Sequence, residues 1–564
     1  MNIGVPARVC VLLALLAGCA RQPAQQPADL VVLGADVQTM DDASAHATAL
    51  AVRDGKIVFV GDDAGAKSQI GAGTQVVQAA GVTVLPGLID SHIHAAEGAL
   101  GLGGCSLEDK QLTVEAAGQV IRECLAKEPS QGWLVVSEVN SAGFRADRKG
   151  LDAIVSDRPL FLYGADGHTG WVNSKGLAAS GISRASKDPP DGRIERDAAG
   201  EPTGFLVDGA LGPVTAALPE PTPEKRLQAL REVLPMLHAV GITSYLEANT
   251  SAETVAAYIE LARKHELTAH VSMALSSEGA TTDEEFARLD RLRQSVAGEP
   301  LLRADFIKLF ADGVMEYPTQ TAAMLEPYNK ANGKPGTSHG RLYLEDQAMK
   351  QFFQRAATAG FNIHVHAIGD AAVRETLDAV EAARTAGSKQ LYSIAHLQSI
   401  DPADLARFAQ LGVIASLQLF WALPDNYSVD ALLPYIGPER QQRIYPARSL
   451  LAAGATIAGG SDWDVSSFNP FEAMATGMSR TNPAEPARGV LNAKETLTLD
   501  ELLHAYTINA ARLLGRQAEI GSLTVGKAGD LIVLDRRLSP ESTAADVRAT
   551  KVTKTFVAGR PVTP

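Results

Sequence analysis

Apolar and polar positions follow two different patterns along the chain, and the change between them predicts two structural regions. From 29 to 84, short apolar runs such as 30–33 and 57–60 are separated by polar turns. The same pattern returns near the C-terminus, at 530–535 and 552–557. We therefore predict a small β-sandwich domain built from both chain ends, 29–84 and 515–564.

In the middle of the chain, apolar strand-like runs alternate with longer helical stretches, which is typical of βα units and a parallel sheet. The predicted strands are 84–89, 133–137, 160–163, 243–247, 269–273, 306–310, 362–366, 392–396, 413–417 and 456–458. These outnumber the eight strands of a (β/α)8 barrel, so one or two belong to an insertion. The predicted fold class is α/β, with a TIM-like barrel and an inserted segment over 85–514. Its chemistry is expected at the C-terminal ends of the strands.

The N-terminus fits neither pattern. Arg8 precedes the apolar stretch 9–17, as in an export signal, and the letters LAGC at 16–19 resemble a bacterial lipoprotein processing box. We predict a signal peptide at 1–18, a lipid on Cys19 and a flexible tether at 19–28. Because Ala20 is not acidic, resemblance to sorted lipoproteins favours the periplasmic face of the outer membrane in the bacterial cell envelope. The alternative is an ordinary signal with a chance cysteine.

Composition narrows the possible partners. The 564 residues include 51 basic and 65 acidic side chains, and no cluster of Lys and Arg with interleaved aromatics suggests nucleic acid as a partner. No internal apolar run reaches the roughly 18 residues of a spanning helix, so membrane contact is expected through the lipid alone. A small-molecule substrate is the expected partner, and the sequence does not predict an oligomeric state.

Cysteine usage leaves one question open. After loss of Cys10 with the signal and lipidation of Cys19, only Cys105 and Cys124 remain. An exported protein can join such a pair in a disulfide. Two separate buried thiols are the alternative, because the sequence does not show whether the two Cα atoms approach within roughly 7 Å.

Several side chains suited to metal binding follow the predicted strands. In PGLIDSHIH at 86–94, His92 and His94 stand one residue apart, so in an extended strand both point to one side and can chelate a divalent ion. His366 and His396 end two later strands, and Asp462 follows another in GGSD at 459–462. A carboxylate placed there can ligate a metal and also accept a proton from bound water.

Lys308 is unusual because it lies between apolar residues in the predicted strand FIKLF at 306–310. Burial of an ammonium group is costly and lowers its pKa, which would free the amine to capture carbon dioxide as a carbamate. The two carbamate oxygens could bridge two cations. Alternatively, the amine only donates a hydrogen bond to a neighbour or to the substrate.

Together these motifs, with NAARLLG at 509–515, GSL at 521–523 and GKAGDL at 526–531, resemble the amidohydrolase superfamily. DGHTGWVNS at 166–174, the segment 308–313 and HAIGD at 366–370 resemble amidohydrolase family 3, the branch that contains N-substituted formamide deformylases. The resemblance covers nearly the whole mature chain. It implies a barrel with a β-sandwich made from both chain ends.

The resemblance also implies a ligand arrangement. His92 and His94 would hold the more buried metal together with Asp462, and His366 and His396 would hold a second one. One or two zinc ions are expected, with carboxylated Lys308 as the bridge in the two-metal case. A mononuclear site without the carbamate is the alternative.

Two catalytic residues are predicted by the same resemblance. Asp462 would take the proton of the metal-activated water and deliver it to the leaving amine. His168 would contact the substrate or the developing oxyanion, or else only support its loop.

Other candidate residues receive supporting roles. His364 shares a strand face with His366 and is expected to support a ligand; His366 is preferred as the ligand because it adjoins the AIGD letters. Asp312 is expected to support a ligand or form a turn. His270 and His339 are expected to be structural. Trp421, Tyr317 and Trp463 are candidates for the pocket wall, with packing at the barrel rim as the alternative for each.

The predicted function is metal-dependent hydrolysis of a carbon–nitrogen bond in an amide, formamide, carbamate or cyclic amide by a metal-activated hydroxide. An esterase or lactonase using the same site is one alternative. A non-catalytic lipoprotein that binds a metal or small ligand is the other. Fold alone does not choose among them.

Overall fold

The computed structural model describes residues 1–2, 4, 26–41, 43–127 and 132–562. The predicted signal peptide, apart from three of its residues, and the predicted lipid site Cys19 lie outside the described residues. Among the residues described, no helix has both the length and the apolar character needed to cross a membrane.

The first elements occupy two small sheets. In chain order they are β1 (Leu30–Leu33), β2 (Asp36–Gln38), β3 (His46–Ala47), β4 (Ala49–Arg53), β5 (Lys56–Gly61), α1 (Asp63–Lys67), β6 (Gln75–Gln78) and β7 (Thr83–Pro86). One sheet has the strand order β5-β4-β1-β6. Its β4–β5 hairpin turns at Asp54 and Gly55, whose φ angles of 48° and 75° suit the turns that favour Asp-Gly.

The chain then begins the barrel and leaves it for an insertion. The elements are β8 (Leu88–Ile93), α2 (Ala95–Gly101), β9 (Cys105–Ser106), α3 (Val114–Lys127), β10 (Leu134–Val139), α4 (Arg148–Asp152), β11 (Leu160–Gly164), β12 (Thr169–Val172), α5 (Ser174–Ala179), β13 (Gly192–Arg196), β14 (Pro202–Asp208), α6 (Gly212–Thr215) and α7 (Pro223–Ala239). The insertion forms a six-stranded sheet in the order β13-β14-β12-β11-β10-β9. Two of the ten predicted strands, 133–137 and 160–163, are its β10 and β11.

The chain then returns to the barrel. Its elements are β15 (Ile242–Thr250), α8 (Ala252–Arg263), β16 (His270–Ser276), α9 (Asp283–Ser295), β17 (Leu302–Phe310), α10 (Asp346–Thr358), β18 (Asn362–Ala367), α11 (Asp370–Thr385), β19 (Tyr392–His396), α12 (Leu405–Leu411), β20 (Val413–Leu417), α13 (Leu433–Gln441), α14 (Ala447–Ala452), β21 (Thr456–Gly459), α15 (Pro470–Ser479), α16 (Leu499–Ala505) and α17 (Ile508–Leu513). Helices α8 and α9 begin where the hydroxyls of Ser251 and Thr282 accept backbone N–H groups three residues later.

Eight parallel strands form the barrel sheet, in the order β8-β15-β16-β17-β18-β19-β20-β21. The circle closes where the backbone N–H of Asp462 donates to the carbonyl of His92 over 2.8 Å. The strand register places Phe310 beside His366 and Ala367 beside His396. This confirms the predicted TIM-like barrel with an insertion, and it brings the polar strand ends to one face.

The last elements return to the N-terminal region. They are β22 (Leu531–Leu534), α18 (Ala544–Arg548), β23 (Val552–Val557) and β24 (Arg560–Pro561). They complete a second sheet in the order β24-β23-β22-β7-β2-β3. Apolar side chains of both small sheets, including Leu30, Val52, Val84, Leu531 and Phe556, pack into one buried cluster. The domain limits at 84 and 515 stay a prediction. Strand β7 (Thr83–Pro86) extends across the limit at 84.

The structure answers the cysteine question. Cys105 of β9 and Cys124 of α3 form a disulfide with an S–S distance of 2.04 Å and a Cα–Cα distance of 5.7 Å. The bridge ties the first strand of the insertion to its first helix.

Candidate metal centre

The barrel brings the predicted ligands together at the C-terminal ends of its strands. His92 and His94 come from the end of β8, and Asp462 follows β21. The other three lie on strands between them, and they are Lys308 on β17, His366 on β18 and His396 on β19. Apart from His94, all have exposed fractions of at most 6%.

The first ligand set, His92, His94 and Asp462, is tightly converged. The Nε2 atoms of both histidines lie 3.1 Å from Asp462 Oδ1, and one potential ligand atom from each residue falls within 4.8 Å of the others. Although both nitrogens are close, Oδ1 is buried and makes no hydrogen bond within the described part of the chain. Two imidazole nitrogens and a carboxylate oxygen arranged in this way fit a divalent cation such as zinc.

Charge at this set is concentrated on Asp462. Burial raises the pKa of this carboxyl, but the adjacent imidazoles of His92 and His94 outweigh burial and hold the pKa well below its usual value. Asp462 is therefore an anion, as a metal ligand requires.

A chain of buried contacts fixes the orientation of His92. Its Nδ1 atom lies 2.6 Å from His364 Nε2, and His364 Nδ1 lies 2.7 Å from the hydroxyl of Ser393. This leaves His92 Nε2 directed toward Asp462. The structure thus places His364 behind a ligand, whose ring it orients.

Asp90 has a supporting role that the sequence pattern does not predict. Its Oδ1 atom accepts the backbone N–H groups of His92, at 3.1 Å, and Ser461, at 3.0 Å. The carboxylate therefore joins the end of β8 to the loop that carries Asp462. Its position inside PGLID was the available signal, but its partner is 371 residues away.

The second ligand set, His366 and His396, is looser. Their ring centroids lie 4.4 Å apart, and His396 Nδ1 lies 3.9 Å from Asp462 Oδ2. His366 Nε2 donates to the carbonyl of Gly313 over 3.1 Å, which leaves its Nδ1 without the proton and able to ligate. His396 Nδ1 is buried without a hydrogen bond to any described residue.

Asp312 supports the loop beside this second set. Its carboxylate accepts three backbone N–H groups, from Ala323 at 2.9 Å, Ile368 at 3.0 Å and Gly369 at 2.8 Å. Asp312 Oδ1 lies 3.7 Å from His366 Nε2. Its main contacts are therefore with the backbone that follows β18.

Lys308 contacts the first ligand set. Its Nζ atom is 3.4 Å from His92 Nε2, and only 1% of the residue is exposed. Burial lowers the pKa of this amine to about 7, against the opposing charge of Asp462. A substantial neutral fraction at neutral pH meets the chemical requirement for carbamate formation.

His168 reaches the centre from the insertion. Its ring centroid lies 5.2 Å from that of His366, and its Nδ1 donates to Asp208 Oδ1 over 2.6 Å. Asp208 has a φ of 52°, an uncommon conformation for a residue with a side chain. Asp208 is not predictable from the sequence pattern, because it lies 40 residues from its partner His168.

His270 and His339, the two histidines predicted to be structural, lie away from the ligands. His270 begins β16, at the opposite end of the barrel, where its Nε2 lies 3.0 Å from Asp530 Oδ2. His339 Nδ1 lies 3.0 Å from the carbonyl of Met324. Both occupy structural positions.

Two cavities lie over the centre. The inner cavity, of about 330 Å³, is lined by the ligand side chains His94, Lys308, His366, His396 and Asp462. The outer cavity, of about 430 Å³, shares wall residues with it, including Asp166, Trp421 and Trp463. The expectation for Tyr317 is wrong, because its ring stacks on Tyr435 at 4.7 Å and lines neither cavity.

The chain matches a known protein family over most of its length. A model of the amidohydrolase family matches residues 75–563. The chain belongs to the amidohydrolase family. As a member it is a metal-dependent hydrolase of carbon–nitrogen bonds, and the first ligand set supports a divalent metal as its cofactor.

Relatives match over nearly the whole length. The chain is 27% identical over 549 residues to an N-substituted formamide deformylase of Arthrobacter pascens, covering 95% of this chain and 98% of the relative. It is 29% identical over 565 residues to Protein LONG AFTER FAR-RED 3 of Arabidopsis thaliana, covering 96% and 93%.

Solved structures share the fold. A metal-dependent hydrolase from Pyrococcus horikoshii OT3 superposes with a TM-score of 0.72 at 22% identity, covering 92% of this chain and 99% of the other. An adenosine deaminase from Xanthomonas campestris with bound zinc superposes with a TM-score of 0.54 at 17% identity, covering 95% and 93%.

Proposed function

We propose that this amidohydrolase cleaves the carbon–nitrogen bond of N-substituted formamides and related small amides. The observation that carries the proposal is the convergence of His92, His94 and Asp462, of which His94 and Asp462 line a cavity of about 330 Å³. The full-length similarity to an N-substituted formamide deformylase supports formamides as the first substrates to test.

The proposed ligands divide into the two sets. His92, His94 and Asp462 would hold one zinc ion, and His366 and His396 would hold a second, with carboxylated Lys308 as the bridge. A divalent cation bound here supplies Lewis acidity, which lowers the pKa of water and polarises the scissile carbonyl.

Asp462 is the proposed proton carrier. Its carboxylate is anionic and reaches the inner cavity, where it can take the proton from the attacking water and pass it to the leaving nitrogen. Since only 6% of Asp462 is exposed, the proton is shielded from exchange with bulk water.

His168 is proposed to bind the carbonyl oxygen of the substrate. Because Asp208 accepts the proton on Nδ1, the ring keeps a fixed orientation and its Nε2 is left for the inner cavity. Burial lowers the pKa of His168, but the hydrogen bond to Asp208 outweighs burial and raises it, which favours a proton on Nε2. A donor in this place would stabilise the developing oxyanion.

A matched amide and ester test the proposal. Zinc-loaded protein should release benzylamine and formate from N-benzylformamide, and Asp462→Asn should abolish that release. Benzyl formate has the same benzyl and formyl groups joined by oxygen. Hydrolysis of benzyl formate without N-benzylformamide would replace the proposal with an esterase. Hydrolysis of neither, by protein that retains its metal, would favour the binding-protein alternative.

We also propose that the protein is lipid-anchored through Cys19 at the periplasmic face of the outer membrane. The letters LAGC at 16–19 support lipidation, and the Cys105–Cys124 disulfide suits an oxidising compartment. Cells fed a labelled fatty acid should incorporate the label in the native chain but not in Cys19→Ser. A labelled Cys19→Ser protein, or an unlabelled native one, would contradict the anchor.

A further inference from the structure

The outer cavity is strongly acidic. Seven of its lining residues are Asp or Glu, and none of the residues that line it is Lys, Arg or His. A wall of one charge sign concentrates its potential inside a cavity with low-dielectric surroundings. The outer cavity should therefore attract a cation and repel an anion.

Four of these carboxylates accept hydrogen bonds only from neutral donors within the described part of the chain, and they are Asp109, Glu138, Asp166 and Glu316. The carboxylate of Asp425 also accepts from neutral donors, but Arg488, which donates to the Asp425 backbone carbonyl, offsets part of its charge. For example, Glu316 Oε1 accepts from the Gln398 amide over 2.7 Å, and Asp425 Oδ1 accepts from a backbone N–H over 2.7 Å. Hydrogen bonds of this kind orient the carboxylates without cancelling their charge.

Asp166 has an acceptor without a partner where the inner and outer cavities meet. Its Oδ1 atom accepts the backbone N–H of His168 and both the N–H and the hydroxyl of Thr169. Its Oδ2 atom is buried and has no hydrogen bond to any described residue. Because a buried, unpaired carboxylate oxygen is costly, this atom is available to accept a hydrogen bond from a bound ligand.

Ionisation of this wall is unfavourable in the empty cavity. Burial raises the pKa of Glu316 to about 7 and that of Asp109 to about 6, and the neighbouring Asp166 and Asp425 add to both shifts. A cation in the cavity would offset this cost, since an opposite charge favours the ionised carboxylates.

Aromatic rings complete the outer cavity. Phe420, Trp421, Tyr427 and Phe468 line it. Aromatic faces attract ammonium and guanidinium groups as well as apolar surface. The Trp421 ring also stacks on His396, with centroids 5.5 Å apart and planes inclined by 11°. A group held against Trp421 thus lies beside the metal centre.

We propose that the substrate of this enzyme is a cationic amide, whose ammonium-bearing or guanidinium-bearing substituent occupies the outer cavity while its scissile bond lies in the inner cavity. This inference rests on the proposed carbon–nitrogen bond hydrolysis and names its substrate class. Asp166 Oδ2 and the Glu316 carboxylate are the proposed acceptors for the cationic group. The aromatic rings contact the apolar part of the substituent.

Binding of two alcohols of equal shape tests the charge preference without catalysis. 4-(Trimethylammonio)benzyl alcohol and 4-tert-butylbenzyl alcohol differ by a single positive charge. With zinc-loaded full-length protein, tryptophan fluorescence should report at least about tenfold tighter binding of the cation at low salt. The preference should shrink at high ionic strength. Equal affinities for the two alcohols would overturn the proposal.

Two conservative variants assign the preference to the outer cavity. Glu316→Gln and Asp425→Asn each remove a carboxyl group that a bound cation would keep ionised, and each keeps an oxygen acceptor in place. Each should lower the preference for the cation by about threefold and leave the affinity for the neutral alcohol unchanged. Glu284→Gln on the exposed surface of α9 is the matched control and should change neither affinity. An unchanged preference in both cavity variants would overturn the assignment.

The corresponding pair of formamides separates this proposal from the one on which it rests. The enzyme should hydrolyse N-[4-(trimethylammonio)benzyl]formamide at least about tenfold more efficiently than N-(4-tert-butylbenzyl)formamide, by kcat/KM. Hydrolysis of both at equal efficiency would overturn the cationic substrate class and keep the formamide reaction. Preferential binding of the cationic alcohol with no hydrolysis of either formamide would instead overturn the reaction.

Discussion

His92 and His94 stand at the end of one strand, and each has its Nε2 atom 3.1 Å from Asp462 Oδ1. His366 and His396 come from two neighbouring strands, and among the described residues no single carboxylate oxygen lies that close to both. The first set is held by contacts that precede any cation: His364 orients the ring of His92. In the second set, the contacts of the two rings are with groups other than a candidate ligand. His366 donates to a backbone carbonyl, and the ring of His396 stacks on Trp421.

Because of this difference, the two sets should bind metal with unequal affinity. A ligand whose ring is already oriented loses little freedom when the cation binds, so preorganised sites bind more tightly. The second set has only two histidines and needs a further ligand to match the first, whereas Lys308, the candidate bridge, lies 3.4 Å from His92 of the first set. Four experiments test whether the two sets differ in this way.

The largest effect is expected at Asp462. Asp462→Asn removes the charged ligand of the first set and the proposed proton carrier together. Activity toward N-benzylformamide should fall by roughly 10³-fold or more, because a positioned acid–base group alone contributes about 10²–10⁴-fold. Steady-state kinetics and elemental analysis of bound zinc would measure both losses. His46→Ala, which changes an exposed histidine of β3, should leave both near native values. A variant with native activity would contradict the central role of the first set.

Unequal occupancy is the next prediction. Gradual removal of zinc by a chelator should release one equivalent before the other, and His396→Ala should lack the weakly held equivalent from the start. We expect a loss of activity on the order of 10²-fold when only the first set is filled, since one cation still polarises the carbonyl. Elemental mass spectrometry along the titration gives the stoichiometry. Two equivalents leaving together would show that the sets are equivalent.

His364 tests whether orientation explains the tighter set. His364→Ala removes the contact with His92, and the affinity of the first equivalent should fall by about 10–100-fold, the usual cost of losing a partner that orients a metal ligand. Competition with a zinc chelator measures this affinity. His339→Ala changes a histidine that contacts the carbonyl of Met324 rather than a ligand and serves as the control. If both substitutions weaken zinc equally, orientation by His364 is not the cause.

Asp312 should give the smallest effect. In Asp312→Asn the amide nitrogen faces one of the three backbone N–H groups now bonded to the carboxylate, so the free energy of unfolding should fall by about 1 kcal/mol. Denaturant unfolding of metal-free protein measures the change. The affinity of the first equivalent should stay native, since Asp312 contacts only the second set. A weakened first equivalent would mean that the two sets are coupled through the barrel.

The substrate-binding residues were predictable in part only. Trp421 and Trp463, two of the three predicted wall residues, line the outer cavity. Tyr317 was chosen on the same grounds and faces another pocket. Loop residues carry no periodic pattern that reports which way a side chain points, so composition alone could not separate these three.

Local spacing along the chain was sufficient for the barrel and for half of the metal centre. The alternation of apolar strands and helices determines a parallel sheet, and His92 and His94 share a side because successive residues of a strand point in opposite directions. The AIGD letters distinguish His366 from His364, but the contact between His364 and His92 depends on the tertiary structure, and so do the carboxylates that hold the loops. Asp90 reaches Ser461 across 371 residues, His168 meets Asp208 across 40, and Cys105 meets Cys124 across 19. Such contacts depend on strand register and on the path of the insertion, and those are properties of the packed barrel rather than of any segment within it.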